Sequence, residues 1–172
     1  VTGSVALLDT INVYRTILGT MAAPFTGWML LRSLETLSVR MRRQTKTARR
    51  IAAHLKNHPQ ISKVYYPGLL AEGDPQYAIY KRQCLGPGSL VAFDVKGGQK
   101  KAFRTLDRFQ ICRLAVSLGG TESLVEHPMT MTHADVPNAE LRAMNVTPGM
   151  IRMSVGIEHE ADLIRDIDQA LR

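Results

Sequence analysis

One arginine, Arg152, lies in a short segment whose neighbouring residues are too small to cover its guanidinium. Residues 150–158 alternate apolar with small or polar side chains: Ile151, Met153 and Val155 against Arg152, Ser154 and Gly156. This period of two predicts a strand with one face in a core. An arginine that faces a gap commonly binds a carboxylate or phosphate through two parallel hydrogen bonds. From the spacing alone, an internal ion pair with Asp or Glu is an equally good interpretation.

A second stretch, residues 114–120, repeats this pattern. Its two predicted faces are Leu114, Val116 and Leu118 against Ala115, Ser117 and Gly119. If the two strands are neighbours, Ser117 and Arg152 border one hollow, where a hydroxyl would complete the hydrogen bonds of a bound carboxylate. No histidine lies near Ser117 in the sequence, and the G-x-S-x-G elbow of serine hydrolases is missing. We therefore predict no nucleophile here.

Two pairs of histidines could be metal ligands, His54 with His58 and His127 with His133, the second pair with Glu126 or Cys112. The first pair lies in the last turn of a predicted helix, where the helix dipole favours cations. The second pair flanks a proline at a spacing that fits no zinc pattern. We predict no metal site. We expect the first pair to be cations at the end of the helix, and the second pair to hold neighbouring backbone.

Composition restricts the class of protein. The 172 residues, 45% hydrophobic and 22% charged, suit one globular domain or a small domain with part of another. No apolar run approaches the roughly 20 residues of a membrane span, and no secretory signal is recognisable. Cys84 and Cys112 lie far apart, which is typical of a reducing compartment. We expect a cytoplasmic protein without a membrane partner.

The chain opens on Val1, in a segment that resembles the interior of a fold, so we expect it to belong to something longer.

The net charge of +7 raises the question of a nucleic-acid partner. Much of the positive charge falls in one helical segment: Arg40, Arg42, Arg43, Lys46, Arg49 and Arg50. No aromatic residue lies between Trp28 and Tyr65, and the cations occupy the complement of an apolar stripe. This is typical of the solvated face of an amphipathic helix rather than of a groove-binding element. We predict no nucleic-acid partner.

Periodicity predicts the elements that position these residues. A helix is expected over residues 4–18, followed by one long helix of ~30 residues from an N-cap at Thr26 to Pro59. Strands are then predicted at 61–66, 89–95, 112–118 and 150–157, and helices at 74–84, 99–109, 139–144 and 160–171. We predict an α/β chain whose C-terminal part is an α+β domain, a four-stranded sheet covered by helices on one face.

Four motifs in order resemble a known family. They are L-R-S-L-E-T-L-S-V-R-M-R-R-Q (31–44), V-Y-Y-P-G-L (64–69), A-V-S-L-G-G-T-E-S-L-V-E-H-P-M-T-M-T-H (115–133) and I-R-M-S-V-G-I-E (151–158). The chain resembles, over its whole length, the C-terminal part of the pyridoxal-phosphate enzymes of cysteine and methionine metabolism. These trans-sulfuration enzymes include cystathionine γ-synthase, cystathionine γ- and β-lyase, methionine γ-lyase and the O-acylhomoserine sulfhydrylases.

The resemblance implies a type I aminotransferase-like fold and pyridoxal 5'-phosphate as cofactor. Residues 1–57 would be the end of the large cofactor-binding domain, including the long linking helix, and 58–172 the small C-terminal domain. By the resemblance, Arg152 grips the substrate α-carboxylate, Ser117 frames that carboxylate, and Thr132 lines the same region. The family also implies an amino-acid substrate and self-association as a homotetramer, a dimer of dimers.

Val116 marks a departure within the family. Cystathionine γ-synthases and many cystathionine γ-lyases carry glutamate before the S-L-G-G serine, whereas methionine γ-lyases and some sulfhydrylases tend to carry an apolar residue there. An apolar group suits a thioether or acyl chain better than the distal ammonium of cystathionine. Val116 therefore favours a thioether or O-acyl substrate over cystathionine. The resemblance implies γ-elimination or γ-replacement on a sulfur amino acid or O-acylhomoserine, by a lyase or transferase, and leaves elimination at Cβ open.

The family's cofactor-bearing lysine, glycine-rich phosphate loop and pyridine-facing aspartate precede the region that this chain matches. The resemblance therefore implies no catalytic and no cofactor-binding residue within residues 1–172. Arg152, Ser117, Val116 and Thr132 are expected to bind substrate. The alternative is a non-catalytic, truncated homologue with a structural or oligomerising role.

Overall fold

The chain divides between Ser38 and Val39 into two units in this computed structural model, which describes residues 2–172. The first unit contains helices α1 (Val5–Leu18) and α2 (Pro24–Glu35). Helix α3 (Leu37–Lys56) begins at the division. The second unit continues with β1 (Ile61–Tyr65), α4 (Tyr77–Gln83), β2 (Leu90–Val95), α5 (Gly98–Arg108), β3 (Arg113–Leu114), β4 (Leu124–Glu126), α6 (Asn138–Ala143), β5 (Met150–Ser154) and α7 (Glu160–Leu171). Two 3₁₀ turns, Pro67–Leu69 and Pro128–Thr130, interrupt the loops.

The first unit consists of helices that bury no side chain. Ser4 caps α1 because its side-chain oxygen accepts a hydrogen bond from the backbone N–H of Leu7 at 3.4 Å. Gly19 ends the helix in the left-handed conformation, with φ 66°. Neither α1 nor α2 has a buried residue, and large apolar side chains such as Trp28 stay exposed. Exposed apolar surface of this extent is typical of a segment that packs against further protein.

The prediction of one long helix is wrong, because Thr36 separates α2 from α3. Thr36 has φ −102° and ψ 0°, away from the values of about −63° and −42° that a helix favours. Threonine is β-branched and its hydroxyl competes for backbone hydrogen bonds, which lowers its preference for a helix interior. The N-cap predicted at Thr26 is also wrong. Helix α2 begins at Pro24, which lacks the N–H that a first turn leaves unpaired.

The second unit is organised around a five-stranded sheet in the order β1-β2-β5-β4-β3. The central strand, β5, pairs antiparallel with both β2 and β4, and only β3 and β4 are parallel. Its odd-numbered residues Ile151 and Met153 are fully buried, which confirms the predicted apolar face. The register places Phe93 opposite Ile151. Helices α3, α5 and α7 complete this core with Ile51, Leu55, Ala102, Leu106, Leu163 and Ile167.

Two predictions about the sheet are wrong. The sheet has five strands rather than four, because β4 (Leu124–Glu126) was not foreseen. The strand predicted at 112–118 is only β3 (Arg113–Leu114). Its ladder ends where Ala115 N donates to Val125 O at 3.1 Å, and the following backbone binds side chains of β5 instead. Strand β4 lies between β3 and β5, so the two small-faced segments are not neighbouring strands.

The remaining predicted elements agree with the structure to within a few residues. Helix α7 has the predicted bounds, and α4, α5 and α6 lie inside or next to the predicted ranges. The type of fold, a mixed α/β arrangement of sheet and helices, is therefore confirmed. The division into residues 1–57 and 58–172 concerns a longer protein and stays a prediction.

Part of the basic stripe on α3 binds the protein's own chain. Arg43 Nη2 donates to Glu158 O at 3.2 Å, and Arg50 pairs with the Glu160 carboxylate. Burial raises the pKa of Tyr66 to about 12, against the opposing charge of Arg49. Arg43, Arg49 and Arg50 of the stripe thus interact with other residues of the chain. No helix of residues 2–172 combines the length and apolarity needed to cross a bilayer.

The two cysteines occupy opposite environments, and neither forms a disulfide. Cys84, at the C-terminal end of α4, is exposed, whereas Cys112 is buried before β3. Burial, followed by the charges of Asp166 and Glu158, raises the pKa of the Cys112 thiol well above its ordinary value.

Asp166 of α7 holds the segment that connects α5 to β3. Its carboxylate, 3% exposed, accepts hydrogen bonds from the backbone N–H groups of Gln110, Ile111 and Cys112 at 2.9, 2.9 and 3.0 Å. Burial raises the pKa of this carboxyl, but the backbone hydrogen bonds outweigh burial and hold the pKa below its usual 3.8. The Asp166 carboxylate thus accepts the backbone hydrogen bonds that a neighbouring strand would otherwise accept in this segment.

We expect Asp166→Ala to lower the free energy of unfolding by about 3 kcal/mol, because three backbone N–H groups, that of the buried Cys112 among them, lose their acceptor. Since the folded-state pKa is depressed, this stabilisation is present above the unfolded pKa near 3.8 and is lost as the pH falls through the folded value. Urea unfolding at about pH 7 and about pH 3 should show the difference shrinking at the lower pH. The exposed Asp107→Ala is the control; an equal loss there would contradict this role.

Candidate functional site

A row of three side chains crosses the central strands on the sheet face opposite the core. The register pairs Arg152 of β5 with Ala92 of β2 on one side and with Glu126 of β4 on the other. Ala92 is small and leaves room for the guanidinium. Arg152 is 23% exposed at its side chain, whereas Glu126 is only 1% exposed. An arginine and a buried carboxylate thus lie next to each other at the centre of the sheet.

The Arg152 guanidinium uses only part of its hydrogen-bonding capacity. Nη1 lies 3.0 Å from Glu126 Oε1, and Nη2 donates to the backbone carbonyl of Ser117 at 3.2 Å. Nε is buried and has no hydrogen-bond partner among the described residues. The internal ion pair that the sequence left open is therefore present. Because a guanidinium has five N–H donors, donors remain for a third acceptor.

Thr132 joins this group through Glu126. Its hydroxyl donates to Glu126 Oε1 at 3.1 Å and lies 2.8 Å from His133 Nδ1. A threonine hydroxyl has one proton, so His133 Nδ1 donates to Thr132 in this arrangement. Glu126 Oε1 therefore contacts two of the residues expected at the site: it forms the ion pair with Arg152 and accepts the hydrogen bond from Thr132.

His127 anchors the turn that carries Thr132. It is 1% exposed, with Nε2 3.0 Å from Pro148 O and Nδ1 2.8 Å from the Thr130 hydroxyl. The carbonyl oxygen only accepts, so Nε2 carries the proton and Nδ1 accepts from Thr130. The edge of the Phe103 ring packs against His127 with centroids 4.9 Å apart. His127 thus binds neighbouring backbone, as the sequence predicted.

The other two histidines face one carboxylate. His54 Nε2 lies 2.6 Å from Asp168 Oδ1, and His58 Nε2 lies 3.7 Å from the same oxygen. Burial lowers the pKa of His58, against the attraction of Asp168, which raises it. Among residues 2–172 no cluster of three or more His, Cys, Asp or Glu has the geometry of a metal site.

Ser154 and Gly156 do not leave an open gap, contrary to the interpretation of the sequence; they hold the loop that follows β3. The Ser154 hydroxyl oxygen accepts from Gly119 N at 3.0 Å, and Ile157 N donates to Thr121 O at 2.8 Å. Helix α3 adds a contact, since Gln44 Nε2 donates to Gly120 O at 2.6 Å. The loop of residues 115–123 is thus fixed by its contacts with β5 and α3.

Glu158 and Ser123 fix the end of this loop. The two carboxylate oxygens accept from Ser123 N at 2.7 Å and from the Ser123 hydroxyl at 2.8 Å. The same hydroxyl oxygen accepts from Gly156 N at 2.9 Å. A Cβ on Gly156 would lie 2.6 Å from the carbonyl carbon of Glu122 and would also collide with Thr121 O. The close approach of loop and strand therefore requires glycine at position 156.

Ser117 and Val116 are exposed on this loop. Ser117 reaches Arg152 through its backbone carbonyl, and its hydroxyl makes no hydrogen bond to the described residues. Val116 is 56% exposed. The structure thus brings Arg152 and Ser117 into contact and links Thr132 to them through Glu126, while Val116 lies beside Ser117 in the chain.

No pattern in the sequence predicts that Glu126 lies beside Arg152. The signal for β4 is the apolar pair Leu124 and Val125 before Glu126, a run too short to identify a strand. Without β4, the register that pairs Glu126 with Arg152 is not visible. Sequence reasoning considered Glu126 only as a metal ligand.

We expect Gly156→Ala to lower the free energy of unfolding by about 2 to 3 kcal/mol, because the added methyl overlaps loop backbone that has no room to move. Thermal or urea unfolding would measure this loss. The matched control is Gly73→Ala, since a Cβ at Gly73 meets nothing within 4 Å and the backbone there has no positive φ. Equal stability of the two variants would show that the loop does not approach β5 this closely.

Comparison with known proteins places the sequence in one family. Residues 1–172 match the family described as Cys/Met metabolism PLP-dependent enzymes. A cystathionine β-lyase of Coxiella burnetii is 42% identical over 165 residues, which are 96% of this chain and 42% of the relative. An L-methionine γ-lyase of Fusobacterium nucleatum is 40% identical over 153 residues, 89% of this chain and 38% of the relative.

The fold agrees with a solved structure. The crystal structure of a cystathionine γ-lyase from Lactobacillus plantarum, complexed with L-serine, matches with a TM-score of 0.85 and 34% identity over 99% of this chain and 44% of that chain. The chain thus spans less than half the length of the relatives it matches.

Proposed function

Because the chain belongs to the pyridoxal-phosphate-dependent enzymes of cysteine and methionine metabolism, we propose that it is the C-terminal segment of an enzyme that performs γ-elimination or γ-replacement on a sulfur amino acid or O-acylhomoserine. Residues 1–57 would complete the large cofactor-binding domain and 58–172 would form the small domain. The observation that supports this proposal is Arg152, a half-buried guanidinium with donors left for a substrate carboxylate.

The residues of this chain are suited to binding the substrate, and none of them is suited to holding the cofactor covalently. Pyridoxal phosphate, when bound, supplies the electron sink that stabilises negative charge at the substrate α-carbon. Six of the seven lysines are exposed: Lys46, Lys56, Lys63, Lys81, Lys96 and Lys100. The seventh, Lys101, donates to the carbonyls of Leu171 and Arg172 at 2.8 and 3.2 Å. None of these environments is the enclosed site that a cofactor-bearing lysine needs, so in our proposal the lysine lies outside residues 1–172.

Arg152 would bind the α-carboxylate and so orient the α-carbon and its proton. A bidentate guanidinium–carboxylate pair fixes both distance and plane, which is the contribution a positioning contact makes to rate. The exposed hydroxyl of Ser117, adjacent to the carbonyl that binds Arg152, would complete the carboxylate's hydrogen bonds. Thr132 would line the same region, because it contacts Glu126, which in turn contacts Arg152.

We expect Arg152→Lys in the complete enzyme to raise KM about 10- to 100-fold with a smaller effect on kcat, because lysine keeps the charge but loses the planar fork. Steady-state kinetics with an amino-acid substrate would measure both. Lysine is preferable to alanine, which would leave the buried Glu126 carboxylate unpaired. The exposed Arg142→Lys is the control. An unchanged kcat/KM in Arg152→Lys would contradict the assigned role.

Val116 supports the choice of substrate within the family. Relatives with β-lyase, methionine γ-lyase and cystathionine γ-lyase activity match this chain at similar identity, so the choice rests on individual residues. Val116 is exposed on the loop that contacts Arg152, next to Ser117. An apolar side chain there offers no partner to the distal ammonium of cystathionine and favours a thioether or acyl chain.

Substituting Val116 by glutamate should therefore shift the ratio of kcat/KM values toward cystathionine, relative to methionine, by about tenfold through a new charge-assisted hydrogen bond. Competition between the two substrates in the complete enzyme would measure the ratio. Val116→Gln is the matched control, since it has the same shape without the charge. If the glutamine and glutamate variants behave alike, charge at position 116 does not select the substrate.

We propose that the complete protein self-associates as a homotetramer, a dimer of dimers. The support is the family together with the first unit, whose helices α1 and α2 bury nothing of their own. The alternative of a non-catalytic, truncated homologue is not favoured, because the chain is 38–42% identical to lyases throughout the matched region.

A further inference from the structure

Glu126 is a buried carboxylate whose hydrogen bonds are only half satisfied. It is 1% exposed, and Oε1 receives both of its contacts, from Arg152 Nη1 at 3.0 Å and from Thr132 Oγ1 at 3.1 Å. Oε2 is buried and has no partner among the described residues. A residue that served packing alone would be expected to have both oxygens satisfied, because an unpaired buried oxygen is unfavourable.

The position of Glu126 is set by the sheet rather than by a flexible loop. It lies directly opposite Arg152 in the β4–β5 register, and its neighbours in β4, Leu124 and Val125, are also buried. The carboxylate therefore meets the guanidinium wherever the two strands pair. The contact orients Arg152, since Nη1 is held by Glu126 while Nη2 is held by the Ser117 carbonyl.

The same contact places a negative charge beside the group that would receive the substrate's negative charge. Two carboxylates that share one guanidinium repel each other, and this repulsion is strong where water is excluded. Glu126 would therefore align the donors of Arg152 and at the same time weaken its hold on a carboxylate. Weaker ground-state binding is compatible with fast turnover, because tight binding that is equal in ground and transition states does not raise kcat.

We infer that Glu126 is a positioning residue that fixes the orientation of Arg152 and reduces its affinity for the substrate α-carboxylate, an inference that rests on the proposed function of Arg152. The negative charge of Glu126 weakens binding of the substrate carboxylate to Arg152, whereas the position of its acceptor oxygen, which orients Arg152, strengthens it. Removing the charge while keeping the acceptor tightens binding, whereas keeping the charge and withdrawing the acceptor weakens it.

Two variants of the complete holoenzyme separate these effects. Glu126→Gln keeps Oε1 as an acceptor for Arg152 and Thr132 and replaces only Oε2, which receives no hydrogen bond. Glu126→Asp keeps the charge on a shorter side chain. The probe is L-norleucine, an amino acid with a straight apolar chain and no leaving group, and its Kd is measured by calorimetry. L-norleucinamide, which lacks the carboxylate, is the control ligand.

We expect Glu126→Gln to lower the Kd for L-norleucine about tenfold and Glu126→Asp to raise it about fivefold, with little change for L-norleucinamide in either variant. A merely structural role would make both variants bind more weakly, in parallel with a loss of thermal stability. A Kd for Glu126→Gln that is unchanged or higher overturns the inference.

Arg152→Lys distinguishes failure of this inference from failure of the proposed function. If Arg152→Lys weakens L-norleucine but not L-norleucinamide while Glu126→Gln has no effect, Arg152 binds the carboxylate and only the role of Glu126 is wrong. If Arg152→Lys affects both ligands equally, the proposed function of Arg152 itself fails.

Discussion

The alternation of side chains along β5 is the constraint on which both the core and the candidate site depend. A strand presents successive residues to opposite faces, so burial of Ile151 and Met153 places Arg152 on the other face. Each buried side chain of this size contributes roughly 2 kcal/mol, and a slip of one residue would exchange the faces. The position of the arginine is therefore fixed by its apolar neighbours rather than by its own contacts.

The loop of residues 115–123 is held beside Arg152 by the same strand, and the two together form the candidate site. Buried backbone groups that leave a strand ladder need partners elsewhere. Here Ser154 and Glu158 accept from the backbone N–H groups of Gly119 and Ser123, and Ile157 N donates to Thr121 O. The same strand thus carries Arg152 and holds the loop that borders it. Ser154, Ile157 and Glu158 thus hold the loop that carries Ser117 and Val116.

Much of this arrangement follows from sequence, and the exceptions have physical causes. The bounds of α7 and the burial of alternate residues in β5 follow from strong periodicity of apolar residues, which local patterns report well. The break at Thr36 depends on one residue within a helical pattern, and β4 is three residues long. The Arg152–Glu126 pair depends on register between strands, which periodicity in either strand alone does not specify. The family motifs identified Arg152 but contained no geometric reason to pair it with Glu126.

Cys84 is exposed and Cys112 is buried, so a thiol reagent can distinguish the two side chains. The thiolate is the nucleophile that attacks a maleimide, so labelling requires both access and ionisation of the thiol. Cys84 has access at the end of α4, whereas Cys112 is enclosed and its raised pKa keeps it protonated. Within residues 1–172, a fluorophore or spin label would therefore attach at Cys84 rather than at Cys112. It would report on the second unit without any engineered cysteine.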